Sequence, residues 1–416
     1  MVSVLVFVIS AWVLMLPAHA QEVLLPSIEP TLTTAQPDAC GAPCERTAAL
    51  NRNILAVSRV TPLAPAGEVS TYMKRDGAWN ETALIANPAP CVAPPSSPDP
   101  LPCFQSLFGS DLALSGRDLF ASVDPSPTQP GAVYVLRLVG SQWQQLQKLE
   151  LPSPRAVPQS LRVSAMEAAG PTVAVGISFT ALVNGENRSI AAVHVFERAR
   201  NGHYRRSAIL SPQDAQGTDF GAALAIHGHT LVVGASSAAD MTGAAYVFHR
   251  SKHGWQLQQK LSPSFSGGQS FGQAVAISHG TIAIGAPGYF DTIDVSAGLV
   301  YVYQRFGRSW LESQVLHDPI VMADPSATNR RFFGTALALR SARLMVGVGA
   351  GRPLPEEDPL TLLFERTPGG WQPVAGFSPH DVPARVQLSR DTALIVGAQL
   401  RFGNQTYVYD LPRFSP

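Results

Sequence analysis

Among the residues whose spacing could do chemistry, His227 and His229 come first. They sit in FGAALAIHGHTLVVGA with one glycine between them, a spacing that suits a metal pair. His317-Asp318 and His380-Asp381 are adjacent acid–base pairs, but neighbouring strand residues point to opposite faces and no nucleophile accompanies them, so they read as polar loop residues. Cys40, Cys44, Cys91 and Cys103 lie in Pro/Gly-rich stretches without zinc-type CxxC spacing. In an exported chain they read as disulfides. Three pairings are possible. The local one, Cys40–Cys44 with Cys91–Cys103, is favoured, as staples rather than redox centres. No G-x-S-x-G elbow, HExxH helix, P-loop or dinucleotide fingerprint is present, so no catalytic residues are assigned.

Whether the histidine pair is a site depends on the element that holds it, and that element recurs. FGQAVAISHGTIAIGAP begins at 271, FGTALALRSARLMVGVGAG at 333 and FGSDLALSGRDLFASVDP at 108. A degenerate copy, LRVSAMEAAGPTVAVGIS, begins at 161, and TAALNRNILAVS begins at 47. RVQLSRDTALIVGA, from 385, opens a last copy that has three strand-like runs. Each unit reads as four short antiparallel strands rich in β-branched and aromatic residues and bounded by turn formers. His227 and His229 occupy a hairpin turn where the next unit has Ser278 and Gly280. A metal site would not tolerate that exchange, and a turn does; no metal is assigned.

Units of roughly 45–60 residues that cannot bury their faces alone indicate a seven-bladed β-propeller, an all-β fold of four-stranded antiparallel blades. The expected blades span approximately 46–87, 107–151, 160–210, 219–261, 270–317, 332–378 and 385–411. The last lacks a fourth strand, and QEVLLPS at 21–27 resembles the missing run. The N-terminal strand is therefore expected to close the ring.

The units resemble the FG-GAP repeat. Phe108-Gly109, Phe220-Gly221, Phe271-Gly272 and Phe333-Gly334 carry its first signature, and Gly234-Ala235 and Gly285-Ala286-Pro287 its second. The resemblance covers nearly all of the chain after residue 20. It implies the propeller of integrin α subunits and of many exported bacterial proteins. Family members often carry a calcium loop, DxDxDGxxxD, between the first and second strands. Here that connection is only His227-Gly228-His229, Ser278-His279-Gly280 or Arg340-Ser341-Ala342, too short to gather six to eight oxygen ligands. Calcium of the family type is unsupported, and no cofactor is assigned.

Residues 1–20 form an apolar run ending in Ala18-His19-Ala20, the pattern of a secretory signal. Export to a periplasmic, cell-surface or extracellular location follows from that reading. No later segment is apolar enough to span a bilayer. With Lys+Arg 30 and Asp+Glu 30, the formal charge is +0, which gives no basic excess for nucleic acid or an acidic membrane. The long connections, between second and third strands and between blades, share one face. That face is where loops on a rigid scaffold carry recognition. Tyr289, Phe290, Asp291, Asp294, Arg330 and Arg331 are its ligand candidates. The expected function is a monomeric, non-enzymatic propeller binding a protein or glycan there. Enzymatic action at the channel mouth and a structural envelope role are the alternatives. An acid–His–Arg set or three convergent acids at the mouth would favour the enzyme.

Overall fold

Blade 4 shows how the repeat folds. Ala223–His227, Thr230–Ala235, Ala244–Ser251 and Gly254–Leu261 pair in sequence order as an antiparallel meander. The second strand, TLVVGA, is buried at every position because neighbouring blades cover both of its faces. The fourth strand lies at the rim, where its residues are half-buried or exposed until Leu261, which is buried.

In the computed structural model, residues 27–28, 31–34, 47–61, 64–88, 107–123, 131–151, 161–183, 186–212, 214, 218–238, 242–265, 270–288, 298–323, 331–350, 359–377, 382–398 and 405–411 are described. Their strands form seven antiparallel blades at 48–86, 108–150, 162–210, 223–261, 274–316, 331–377 and 382–410. In blades 1 to 6 the third and fourth strands share a β-bulge, such as the one between Val247 and Phe248, which strengthens the twist each blade needs to pack on the next.

Blade 7 has three strands of its own, and Leu32–Thr34 supplies the fourth, antiparallel to Gln405–Asp410. Thr31 fastens this closure: its backbone N–H and its hydroxyl both donate to the Val408 carbonyl, at 2.7 and 3.0 Å. The closing segment thus lies downstream of the expected 21–27. Ser27 and Ile28 instead pair in parallel with Gly376 and Phe377, a fifth strand on blade 6. The N-terminal chain crosses two blades rather than one.

The hydrophobic core sits between blades. One cluster joins blades 3 and 4 through Val193, Phe220, Leu231 and Tyr246, and another joins blades 4 and 5 through Val232, Phe271, Ile284 and Tyr301. The ring closes where Leu55 and Val57 of blade 1 meet Leu394, Val396 and Val408 of blade 7. The Phe of each Phe-Gly pair packs edge-on against an aromatic ring of its own blade's third strand, as Phe220 does on Tyr246 at 5.4 Å and Phe271 on Tyr301 at 5.2 Å. The described residues include one short helix, Pro319–Ala323, and none long and apolar enough to cross a membrane.

Candidate functional site

The first strands of all seven blades surround an axial cavity of about 730 Å³. Because every blade is an antiparallel meander, the short 1–2 and 3–4 turns gather at one end of the channel and the long connections at the other. Bonds between successive turns knit the short-turn end. Asn51 Nδ2 donates to the Leu114 carbonyl at 3.2 Å, Ser115 Oγ to the Gly170 carbonyl at 2.9 Å, and the Ser341 amide to Ser278 Oγ at 2.9 Å.

Inside the channel a polar network joins four blades. Arg385 Nη1 of blade 7 donates to Asp111 Oδ1 of blade 2 at 2.5 Å and to Thr47 Oγ1 of blade 1 at 3.0 Å. Asp111 Oδ2 accepts from the Met166 amide of blade 3 at 2.5 Å, and Oδ1 from the Leu112 amide at 2.8 Å. The carboxylate and guanidinium thus satisfy each other, as groups removed from bulk water must. Glu167 lies next to them. Its carboxyl keeps partial exposure to the confined lumen but has protein on every side. Burial pushes its pKa up to about 7, the Asp111 charge adds to the rise, and the Arg385 charge opposes it.

The short-turn end is richer in cations, with Asp391 the acid among its lining residues. Arg52, Arg340 and Arg390, from blades 1, 6 and 7, border a second cavity of about 1320 Å³. All three are exposed, and none has a carboxylate partner among the described residues. Two further cations of this cavity are paired, Lys74 with Asp410 and Arg343 with Glu365, the latter at 3.0 Å. Arg52 and Arg340 also line the axial cavity, so the two spaces adjoin at the channel mouth.

The two histidines of the HGH turn do not act together. His227 packs on His279 of blade 5, with ring centroids 4.6 Å apart, whereas His229 faces His249 at 6.4 Å. Burial lowers the pKa of His227, and the His279 and Arg340 charges lower it further. No group of three His, Cys, Asp or Glu able to hold a metal is present among the described residues.

Of the residues expected at the site, Arg331 is placed differently. Its side chain is fully buried, with Nε donating to Asp318 Oδ2 at 2.6 Å and Nη2 to the Pro359 carbonyl at 3.0 Å. It braces the start of blade 6 and is not offered to a ligand. Asp318, read as a loop polar residue, is its buried counter-ion and also accepts from the Ile320 amide at 3.0 Å. Tyr289, Phe290, Asp291, Asp294, Arg330, His380, Asp381 and the cysteines Cys40, Cys44, Cys91 and Cys103 lie outside the described residues. The 2–3 connection of blade 3 is not a loop: its strands run on as Thr172–Val183 and Glu186–Arg198, paired out to Val183 and Glu186.

Arg52, Arg340, Arg390, Asp111, Glu167 and Arg385 escape a search for motifs, yet the rim has a signal. Aligned repeats put arginine in the 1–2 turn of blades 1, 2, 6 and 7, as Arg52, Arg117, Arg340 and Arg390.

A family model described as FG-GAP repeat matches residues 204–248 and 255–303. These segments run from the last strand of blade 3 to the third of blade 4, and from the fourth of blade 4 to the third of blade 5. No curated protein matches the chain. Among solved structures, an acylaminoacyl peptidase of Pyrococcus horikoshii is similar at 9% identity and a TM-score of 0.49, over 88% of this chain and 50% of that one. This chain thus spans half the length of the peptidase. The β-propeller domain of the Trilobed protease from Pyrococcus furiosus is similar at 9% identity and a TM-score of 0.48, over 89% of this chain and 95% of that one.

Proposed function

This chain is a β-propeller with FG-GAP repeats, and on that frame we propose a non-catalytic binding module that holds an anionic ligand at the short-turn mouth of its channel. The observation that carries this is the trio Arg52, Arg340 and Arg390, three exposed guanidiniums from three blades around one cavity with no carboxylate partner among the described residues. Guanidinium forks suit carboxylate, sulfate and phosphate groups, and a rigid ring holds them in place before the ligand arrives. In the lumen Asp111 and Arg385 already satisfy each other, and at the rim His227 faces His279 and the Arg340 charge. The signal-like residues 1–20 support export as part of this proposal.

Dextran sulfate, immobilised and probed at low and high salt, tests the reading. Wild type is expected to bind with strong salt dependence. Arg340→Ala/Arg390→Ala is expected to lose about tenfold or more of that affinity. An unchanged affinity in the double variant would sink the proposal. The projecting β-arm of blade 3 favours a second reading, in which the long-loop face binds a protein or glycan partner. Tyr289→Ala would then abolish capture of that partner and leave dextran sulfate binding intact.

A further inference from the structure

On the same short-turn face, the 3–4 hairpin of blade 5 ends in Arg305-Phe306-Gly307-Arg308. Phe306 is 76% exposed, above every other exposed large hydrophobic side chain among the described residues. Exposed guanidiniums flank it on both sides. The neighbouring 3–4 tip, on blade 4, carries exposed Lys252, and Gln258 of that blade donates to the Arg308 carbonyl, tying the two hairpins together. Across the ring, Val139 stands at the 3–4 tip of blade 2 and is 49% exposed.

The basic side chains come from five blades rather than from one furrow. The inner turns present the arginines of the channel mouth, and the outer turns present Arg305, Arg308 and Lys252. Against them, the exposed acids in these described turns are Asp76 and Asp391. A formal charge of +0 for the chain therefore coexists with a basic end.

We propose that this face seats on an anionic lipid surface, with its arginines on headgroup phosphates and the Phe306 ring in the acyl boundary. The inference rests on the anion-binding reading above and names the partner at that site. Charge alone would serve any polyanion. The apolar ring separates the partners, since a soluble acidic chain offers it no hydrocarbon, whereas a bilayer rewards its burial beside cationic groups. The spread of cations also suits a planar array of phosphates better than a single extended chain.

Co-sedimentation of the full chain with phosphatidylcholine vesicles, and with vesicles containing phosphatidylglycerol, tests the proposal. Wild type is expected to pellet with the anionic vesicles only, less so at high salt. Phe306→Ser is expected to weaken that binding about tenfold while leaving dextran sulfate binding and the melting temperature unchanged. Arg305→Ala/Arg308→Ala is expected to weaken both kinds of binding. Binding to dextran sulfate without binding to anionic vesicles overturns the membrane inference and leaves the anion-binding reading standing. Full vesicle affinity in Phe306→Ser overturns it as well. Binding to neither surface overturns both readings.

Discussion

Gly234 of blade 4 lies directly against Gly272 of blade 5: a Cβ built on Gly234 would stand 1.9 Å from the Gly272 carbonyl oxygen. Gly272 turns that carbonyl toward its neighbour at φ +94, a conformation that favours glycine, while its own amide donates to the Gly285 carbonyl at 3.0 Å. A Cβ built on Gly285 would likewise stand 2.0 Å from the Gly334 carbonyl oxygen of blade 6. The Gly-Ala signature of one blade is thus the seat for the Phe-Gly signature of the next, which is why the two recur together. Gly234→Ala is expected to cost more than about 3 kcal/mol, because backbone must move on both sides. Gly280→Ala is the control. Its added Cβ would find only Arg305 Cβ, at 3.7 Å, and its cost is expected to stay within about 0.5 kcal/mol. Denaturant midpoints compare the two, and equal midpoints would refute the seating argument.

The buried pair Arg331–Asp318 makes a second prediction. Arg331→Met leaves a carboxylate with no counter-ion in a dry site, which costs about 3–5 kcal/mol. Arg331→Met/Asp318→Leu removes both charges and is expected to regain most of that loss. Dextran sulfate affinity should be untouched in both variants, since neither side chain reaches the surface. A fall in affinity in the folded double variant would show that the pair acts on the anion site from the opposite end of the ring.

Closure gives a third. Thr31 and Leu32–Thr34 join the chain to Val408, Tyr407 and Thr406 across the last seam, where the interblade core is the small cluster around Leu55 and Leu394. Removing residues 21–34 is expected to cost about 2–4 kcal/mol from lost strand pairing and ring closure. Removing 21–26 is expected to cost little. Thermal melts of the two truncations decide it; a large loss in the shorter truncation alone would show that the closure depends on the upstream segment.

The architecture was legible in the sequence because the repeat signatures are packing constraints. Phe271-Gly272 and Gly285-Ala286 occur in that order because one blade must seat the next. The closing strand was legible only in kind. LTT at 32–34 is too short to show alternation, and the apolar QEVLLPS upstream mimics an outer strand, while the observed pairing already places Ser27 and Ile28 on blade 6. In sequence Arg331 looks like an exposed loop cation, because its burial depends on Asp318, thirteen residues earlier, through an ion pair that no periodicity announces. The cationic rim was hidden by an average: equal totals of acids and bases say nothing about which end of a ring holds them. Aligning the turns, rather than counting charges, brings Arg52, Arg117, Arg340 and Arg390 into register.

Two groups, Glu167 half-buried in the lumen and His194 buried in blade 3, should give the fold opposite pH responses. Glu167 has its pKa raised from 4.5 to about 7, so the folded chain binds the extra proton between those values. Its favourable contribution is complete below pH 4.5 and is lost as pH rises through 7. Glu167→Gln is therefore expected to stabilise the protein above pH 7, by about 1–2 kcal/mol after allowance for lumen water, and to do little near pH 4.5. His194, buried in the third strand of blade 3, has its pKa lowered from 6.5 to about 4, by burial first and by the Arg206 charge second. Here the unfolded chain binds the extra proton, so stability is full above pH 6.5 and falls as pH drops toward 4. His194→Phe, placed beside Phe196, is expected to remove up to about 3 kcal/mol of that acid sensitivity. Denaturant titrations across this range separate the two residues. A Glu167→Gln variant that gains at pH 4.5 as much as above pH 7 would show that the carboxyl titrates normally in the lumen. An unchanged acid slope in His194→Phe would show the same for the imidazole.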